Sequence, residues 1–202
     1  GIPRRPNDMD YIAFGGGEAV QATIEGGVTA ENVAILQRMP QVPLANYAFR
    51  NNGDLTFTNQ AEAWGLGEEG FSNGAAYVDL NNSGALDLVI SNINAPASVY
   101  RNRSRELNGS HYLKLRLRGE GANRDGIGAR VTLIVADRPP LVRTLAAGHG
   151  YLSQSSKWLH FGLGTKDVDI REVRVAWPGG EEERYEGVAA GGHYLLIQHR
   201  GE

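Results

Sequence analysis

The sequence predicts an all-β protein with a blade-like antiparallel sheet, then a C-terminal β-sandwich, and an extended arm in front of both. Three observations predict this class. The 202 residues include 27 glycines and 8 prolines, many at turn-like positions. Short runs alternate apolar and polar residues, which is typical of half-buried strands. A loop rich in oxygen-bearing side chains, at 79–87, lies between two strand-like runs.

Residues 1–44 are the predicted arm. Pro3 and Pro6 favour extended backbone, and clustered glycines interrupt any core pattern. One short helix is predicted, beginning after an N-cap at Thr29 and ending before Pro40. We expect this arm to pack on another part of the protein or on another molecule.

Residues 45–108 are the predicted blade. The Asn-Gly pair at 52–53 lies between two strand-like runs and predicts a hairpin. An internal repeat is also present, because the Phe-Arg-Asn motif at 49–51 returns as Tyr-Arg-Asn at 100–102. A repeat period near 50 residues, with about four strands in each repeat, is the size of one propeller blade.

The loop at 79–87 has the spacing of a calcium site. Oxygen-bearing side chains occupy positions 1, 3, 5 and 9, the backbone carbonyl of position 7 can also serve, and glycine at position 6 permits a sharp turn. The predicted Ca²⁺ ligands are Asp79, Asn81, Ser83, Ala85 and Asp87.

Two features distinguish this loop from a strong EF-hand. Position 12 is Ile90 rather than Glu, and the flanking residues are strand-like. Only two carboxylates are present, which predicts weak binding, with a dissociation constant on the order of 10⁻⁴–10⁻³ M. The alternative is that Asn81 and Ser83 only cap a turn through side-chain hydrogen bonds.

Residues 109–202 are the predicted sandwich. Leucines at 113, 115 and 117 face one way, and the basic residues between them, beginning with Lys114, face the other. Two further runs have apolar residues at every second position: Val131, Leu133, Val135, Val173, Val175 and Trp177. Short strands with this alternation are typical of a β-sandwich.

Longer motifs resemble two known modules. Residues 71–102 resemble an FG-GAP/VCBS propeller-type repeat. Four segments resemble the ASPIC/UnbV domain, as in the cartilage acidic protein-like family: 123–129, 150–156, 159–164 and 177–180. The resemblance covers roughly 45–198 and implies exported bacterial or extracellular proteins with calcium-binding propeller loops and no established catalytic activity. The family loop usually has Asp at positions 1, 3, 5 and 9, whereas positions 3 and 5 are Asn81 and Ser83 here.

Several functional classes are disfavoured. The net charge of −3 with mixed signs does not suggest nucleic-acid binding. No apolar run is long enough to span a membrane. The five histidines lack a local zinc spacing, and there are no cysteines. His149 and Ser153 could form a nucleophile pair, but no nucleophile elbow surrounds them. We therefore predict no catalytic activity.

The remaining polar motifs favour structural roles. The turn-forming residues at 123–126 predict a structural turn, with a second polar site as the alternative. The run Glu181 to Glu183 predicts a solvated face. Trp64 and Trp158 could line a carbohydrate site, whereas Trp177 is expected in the core.

Together these features predict a secreted bacterial protein, structural or adhesive, at the cell surface or outside the cell. Sheet edges recruit strands from other chains, so the arm at 1–44 could join copies head to tail into a filament. The alternative is a glycan- or protein-binding module from the C-terminal end of a longer secreted propeller protein.

Overall fold

The computed structural model describes residues 42–180 and 182–202. The predicted arm at 1–44 and its helix therefore fall almost wholly outside the described residues. Within the described residues the fold is all β, as predicted, and the only helix is α1 (Ser104–Asn108). The strands, in chain order, are β1 (Leu44–Ala45), β2 (Phe49–Asn51), β3 (Phe57–Asn59), β4 (Glu69–Gly70), β5 (Ser72–Val78), β6 (Asp87–Asn92), β7 (Ala95–Tyr100), β8 (His111–Arg118), β9 (Arg130–Val135), β10 (Leu141–Thr144), β11 (Leu159–Gly164), β12 (Ile170–Ala176), β13 (Glu182–Tyr185) and β14 (His193–Ile197).

The chain divides into two compact units. Among the described residues, the first unit holds 42–73 and 91–97, and the second holds 74–90 and 98–202. This division differs from the predicted ranges 45–108 and 109–202, because residues 74–90 group with the sandwich rather than with the hairpins before them.

The first unit contains two antiparallel pairs, β1 with β4 and β2 with β3. The predicted Asn-Gly hairpin is confirmed as the β2–β3 pair. Its loop is five residues long, 52–56, and the Asn52 N–H donates to the Thr56 carbonyl at 3.0 Å.

Strands β5, β6 and β7 form a three-stranded sheet in sequence order. The repeated motif that ends at Asn51 and at Asn102 makes the same side-chain hydrogen bond in both copies. The Asn51 side-chain oxygen accepts the Gly53 N–H at 2.8 Å, and that of Asn102 accepts the Ser104 N–H at 2.9 Å. Each asparagine therefore caps a turn close to the end of a strand.

The predicted β-sandwich is confirmed. One sheet has the order β10-β9-β12-β13 and is antiparallel, and the other has the order β11-β8-β14. Strand β14 pairs with β8 in parallel, so the second sheet is mixed. The core lies between them, and its largest fully buried side chains are Phe161, Leu113, Leu115, Leu133, Leu163, Val131, Val173 and Val175.

Strand β8 departs from the simple alternation at one position. The leucines on its inner face are buried, and Arg116 and Arg118 are exposed, as expected. Lys114 also points away from that core, yet it is only 4 % exposed. It is buried because the 79–87 loop covers the start of β8.

The predicted solvated face at 181–183 is wrong for Glu183. This residue is 7 % exposed, and its carboxylate accepts the N–H groups of His199 and Gly201 and the Tyr185 hydroxyl. The carboxylate therefore ties the C-terminal residues to β13. Burial acts to raise the pKa of Glu183, but the His199 N–H, the Tyr185 hydroxyl and the Gly201 N–H outweigh it and lower the pKa.

Glu183→Gln is expected to cost about 1.5–3 kcal/mol of unfolding free energy near neutral pH, because it removes a buried charged acceptor with three donors. The lowered pKa means that this stabilisation is present above the ordinary value of 4.5 and is lost as the pH falls through the folded-state pKa. Urea unfolding across this pH range should therefore show the two proteins converging in acid. The exposed neighbour gives the control, Glu182→Gln, and equal losses in both variants would contradict the assignment.

Candidate functional site

The predicted cation loop is closed by its own first residue. One Asp79 carboxylate oxygen accepts the Ser83 N–H at 2.8 Å, and the other accepts the Gly84 N–H at 2.9 Å. The second oxygen also accepts a hydrogen bond from the Lys114 ammonium at 2.9 Å. All three groups lie in the second unit, and they use both oxygens of this carboxylate.

The last loop residue, Asp87, also accepts backbone groups. One carboxylate oxygen accepts the Leu80 N–H at 3.1 Å, and the other accepts the Asn102 N–H at 2.8 Å. Asp87 is 3 % exposed. It therefore joins the start of the loop to the chain segment that follows β7.

The intermediate predicted ligands make turn hydrogen bonds of the kind expected for a capped turn. The Asn81 side chain accepts the Ser83 N–H at 3.1 Å, and the Ser83 hydroxyl oxygen accepts the Ala85 N–H at 3.3 Å. The Ser83 carbonyl accepts a hydrogen bond from Arg105 at 2.7 Å. The structure thus brings the predicted residues together, and two basic residues, Arg105 and Lys114, contact the loop.

Lys114 and Asp79 form a buried ion pair, with side chains only 5 % and 1 % exposed. Burial acts to raise the pKa of Asp79, but the hydrogen bond from Lys114 and the N–H groups of Gly84 and Ser83 outweigh it and lower the pKa. The Lys114 ammonium also lies 5.4 Å from the centre of the Trp158 ring. The pair therefore fixes the loop against the sandwich.

A histidine and tyrosine cluster surrounds Gly84. The Tyr112 and His160 rings stack with centroids 6.0 Å apart, and the Tyr112 hydroxyl lies 3.1 Å from His193 Nε2. His160 Nε2 lies 2.9 Å from the Gly84 carbonyl and donates to it. Burial lowers the pKa of His160 by more than this carbonyl raises it, so the ring is neutral at physiological pH.

A cavity of about 360 Å³ opens beside this cluster, within the second unit. It combines aromatic rings, aliphatic groups and a few polar groups. Its lining residues are Tyr77, Leu86, Arg143, Thr144, Leu145, Ala146, His149, Ser156, Trp158, Leu159 and His160. Concave sites of this size and mixed lining are typical of small-molecule binding sites.

The three tryptophans have different environments. Trp158 lines the cavity, while Trp177 is 3 % exposed and belongs to the core, as predicted. Trp64, in the first unit, is 55 % exposed. Of the two tryptophans proposed for a carbohydrate site, only Trp158 therefore lies in a described cavity of the sandwich unit.

The side chains of His149 and Ser153, considered as a nucleophile pair, do not hydrogen-bond to each other. The Ser153 hydroxyl donates to the Tyr151 carbonyl, and His149 is joined to Ser153 only through their backbones. Within the described residues, His149 Nδ1 is buried without a hydrogen-bond partner.

The turn at 123–126 is internally satisfied, in line with its structural interpretation. The Asn123 side chain accepts the Ile127 N–H and donates to the Ile127 carbonyl, both at 2.9 Å. Asp125 pairs with Lys157. Gly126 has φ +67°, and a Cβ there would lie 3.1 Å from the Trp177 ring.

Two kinds of feature are absent from the described residues, a metal-binding cluster and a membrane-spanning helix. No cluster of three or more His, Cys, Asp or Glu residues there could hold a metal ion. No helix among them has the length and apolar character needed to cross a membrane.

This chain is similar to known proteins over parts of its length. Cartilage acidic protein 1 of Mus musculus and of Homo sapiens are each 30 % identical to this chain over 135 residues. The match covers 65 % of the chain and 20 % of each relative, so the chain spans about a fifth of the length of these relatives. The FG-GAP/VCBS resemblance stays a prediction. Residues 119–202, which hold strands β9 to β14, match the family described as ASPIC and UnbV.

Proposed function

We propose that this chain is the C-terminal part of a longer secreted protein and acts there as a non-catalytic, saccharide-binding module. The ASPIC and UnbV match supports the position, because this domain is typical of the C-terminal region of larger proteins, and the small share of each relative that is matched supports a longer protein. The sandwich then supplies a rigid frame, on which a binding site retains its shape.

The cavity beside Trp158 is the observation that carries the proposal. Its volume of about 360 Å³ suits one pyranose ring. The negative face of an aromatic ring attracts the weakly positive C–H groups of a sugar, and Trp158 and Tyr77 supply such rings. Thr144, Ser156 and His149 add polar groups that can hydrogen-bond sugar hydroxyls.

The first unit supports a longer protein through its exposed apolar side chains. Large patches of this kind are uncommon on isolated soluble proteins and mark contact surfaces. The side chains that are more than half exposed are Leu44, Tyr47, Phe49, Leu55, Phe57 and Trp64. We propose that an earlier part of the longer chain covers them; head-to-tail self-association through the 1–44 arm is the competing proposal.

Calcium binding by the 79–87 loop also stays a proposal. Asp79 and Asp87 would supply the charge, and the oxygens of Asn81, Ser83 and Ala85 would complete the set. In the present geometry, however, the acidic oxygens accept Lys114 and backbone N–H groups, which fits an ammonium better than a divalent ion. A bound Ca²⁺ would have to displace Lys114 from Asp79.

An extracellular location is the remaining part of the proposal. The chain has no cysteine, so it exposes no thiol to an oxidising environment. The name of the two relatives refers to cartilage, a tissue that consists largely of extracellular matrix. A bacterial origin stays a prediction.

A glycan array tests the proposal directly. The wild-type protein is expected to bind a subset of glycans, and Trp158→Ala is expected to weaken that binding about tenfold or more, as truncation of an aromatic anchor does. Trp64→Ala, in the first unit, is the matched control and should bind as the wild type does. Circular dichroism verifies that each variant is folded. An array without binding, or binding by Trp158→Ala equal to that of the wild type, would contradict the proposal.

A further inference from the structure

We propose that the cavity selects a saccharide with an acidic group, a carboxylate or a sulfate, and that Arg143 is the charge partner of that group. This inference rests on the saccharide-binding function proposed above and names the class of ligand. It is carried by the charge of the lining, the free donors of Arg143 and the position of His149.

The lining carries positive charge without a compensating acid. Arg143 lies in it, and none of the lining residues is acidic. Lys114 lies close to Trp158, but Asp79 neutralises it. His160 donates to the Gly84 carbonyl, and burial lowers the pKa of its ring and so favours the uncharged form. The cavity therefore favours an anion over a neutral or cationic ligand.

Arg143 is oriented but has unused donors. It lies on β10, at an edge of the four-stranded sheet, and its guanidinium sits 5.8 Å from the centre of the buried Phe161 ring. One of its five N–H groups donates to the Val142 carbonyl at 3.1 Å. In the described part of the chain no carboxylate pairs with it, so the rest of its planar fork can bind an acidic group with two parallel hydrogen bonds.

His149 supplies a second polar group on the same wall. Its ring meets the edge of Tyr77 with centroids 5.6 Å apart, and its Nδ1 is buried without a partner among the described residues. A buried polar atom without a partner costs about 1–3 kcal/mol. A ligand hydroxyl that formed a hydrogen bond with this nitrogen would remove that cost.

The aromatic and cationic groups together define the ligand. Trp158 and Arg143 both line this cavity of one-ring size. A sugar with its acid on carbon 6 carries an apolar C–H face and a charge on one small molecule. That combination matches the lining better than either a neutral sugar or a bare anion.

The test is an NMR titration of the labelled wild-type chain with three probes. The probes are methyl β-glucuronide, methyl β-glucoside and methyl β-glucoside 6-sulfate, which share the ring and the methyl aglycone and differ only at carbon 6. At low ionic strength the acidic probes are expected to bind roughly tenfold more tightly than the glucoside, because hydrogen bonds to a charged group are the stronger ones. Backbone shifts should concentrate at residues 143–160, and the acidic probe that binds more tightly identifies the anion.

Arg143→Gln is expected to abolish the preference for acidic probes and to leave the affinity for the glucoside unchanged. Arg118→Gln removes an exposed arginine of the same unit that does not line the cavity, so it should keep the preference. Equal affinities in the wild type, or a preference that survives Arg143→Gln, would overturn the selectivity alone. If none of the probes shifts cavity residues, the saccharide-binding proposal fails as well.

Discussion

Lys114→Met is expected to lower the unfolding free energy of the sandwich unit by about 3–5 kcal/mol. The substitution keeps the length and apolar stem of the side chain but leaves the Asp79 carboxylate buried without its counter-ion. Urea unfolding near neutral pH measures the loss. The cost should shrink in acid, because protonation of Asp79 removes the unpaired charge.

The wild type should instead lose stability in acid. The pKa of Asp79 is lowered in the folded state, so its stabilisation is present above the ordinary value of 3.8 and is lost as the pH falls through the folded-state pKa. Arg116→Met, on the same strand but exposed, is the control and should cost little. A double variant with Asp79→Asn should recover part of the loss, and a loss below about 1 kcal/mol for Lys114→Met would contradict a coupled buried pair.

The Lys114→Met protein also separates the two interpretations of the loop. If the loop binds Ca²⁺, removing the competing ammonium is expected to tighten binding relative to the wild type. Isothermal titration calorimetry with Ca²⁺ compares the two proteins. Absence of heat in both would dismiss the calcium proposal and leave Lys114 as the charge partner of Asp79.

Gly84→Ala is expected to be the second severe change, with a loss of about 2–5 kcal/mol. Gly84 has φ +85°, where a side chain costs roughly 1–2 kcal/mol. A Cβ there would also lie 2.1 Å from the buried Tyr112 ring, and overpacking costs typically about 1–3 kcal/mol. Thermal or urea unfolding measures the sum.

A second glycine of the same unit separates the packing cost from the backbone cost. Gly187 has φ +73° with open space around its Cβ position, so Gly187→Ala carries the backbone cost alone. The difference between the two variants should then report the contact with Tyr112. Equal losses would mean that the loop moves away from Tyr112 at little cost, and that its packing on the sandwich is loose.

Features that depend on residues close together in the chain were predicted, and features that depend on distant pairing were not. Leu113 and Val175 were predicted to be buried because alternation along a strand is a local property, and the sheet must bury one face. The turn at 123–126 was predicted from the residues that form it. The mixed sheet was not predicted, because strand β14 reaches β8 from about 80 residues away and pairing partners leave no trace in either run.

The sequence by itself determined the all-β class, the strand faces, the turns and the oxygen-rich loop, because each depends on residues close together in the chain. Only the tertiary structure decided what that loop touches. Lys114 lies 35 residues after Asp79 and was predicted only to face away from the leucines of its strand, and Glu183 was predicted to be solvated. Which outward side chain meets water and which meets another segment depends on long-range packing, and the same packing assembled the cavity from residues between Tyr77 and His160.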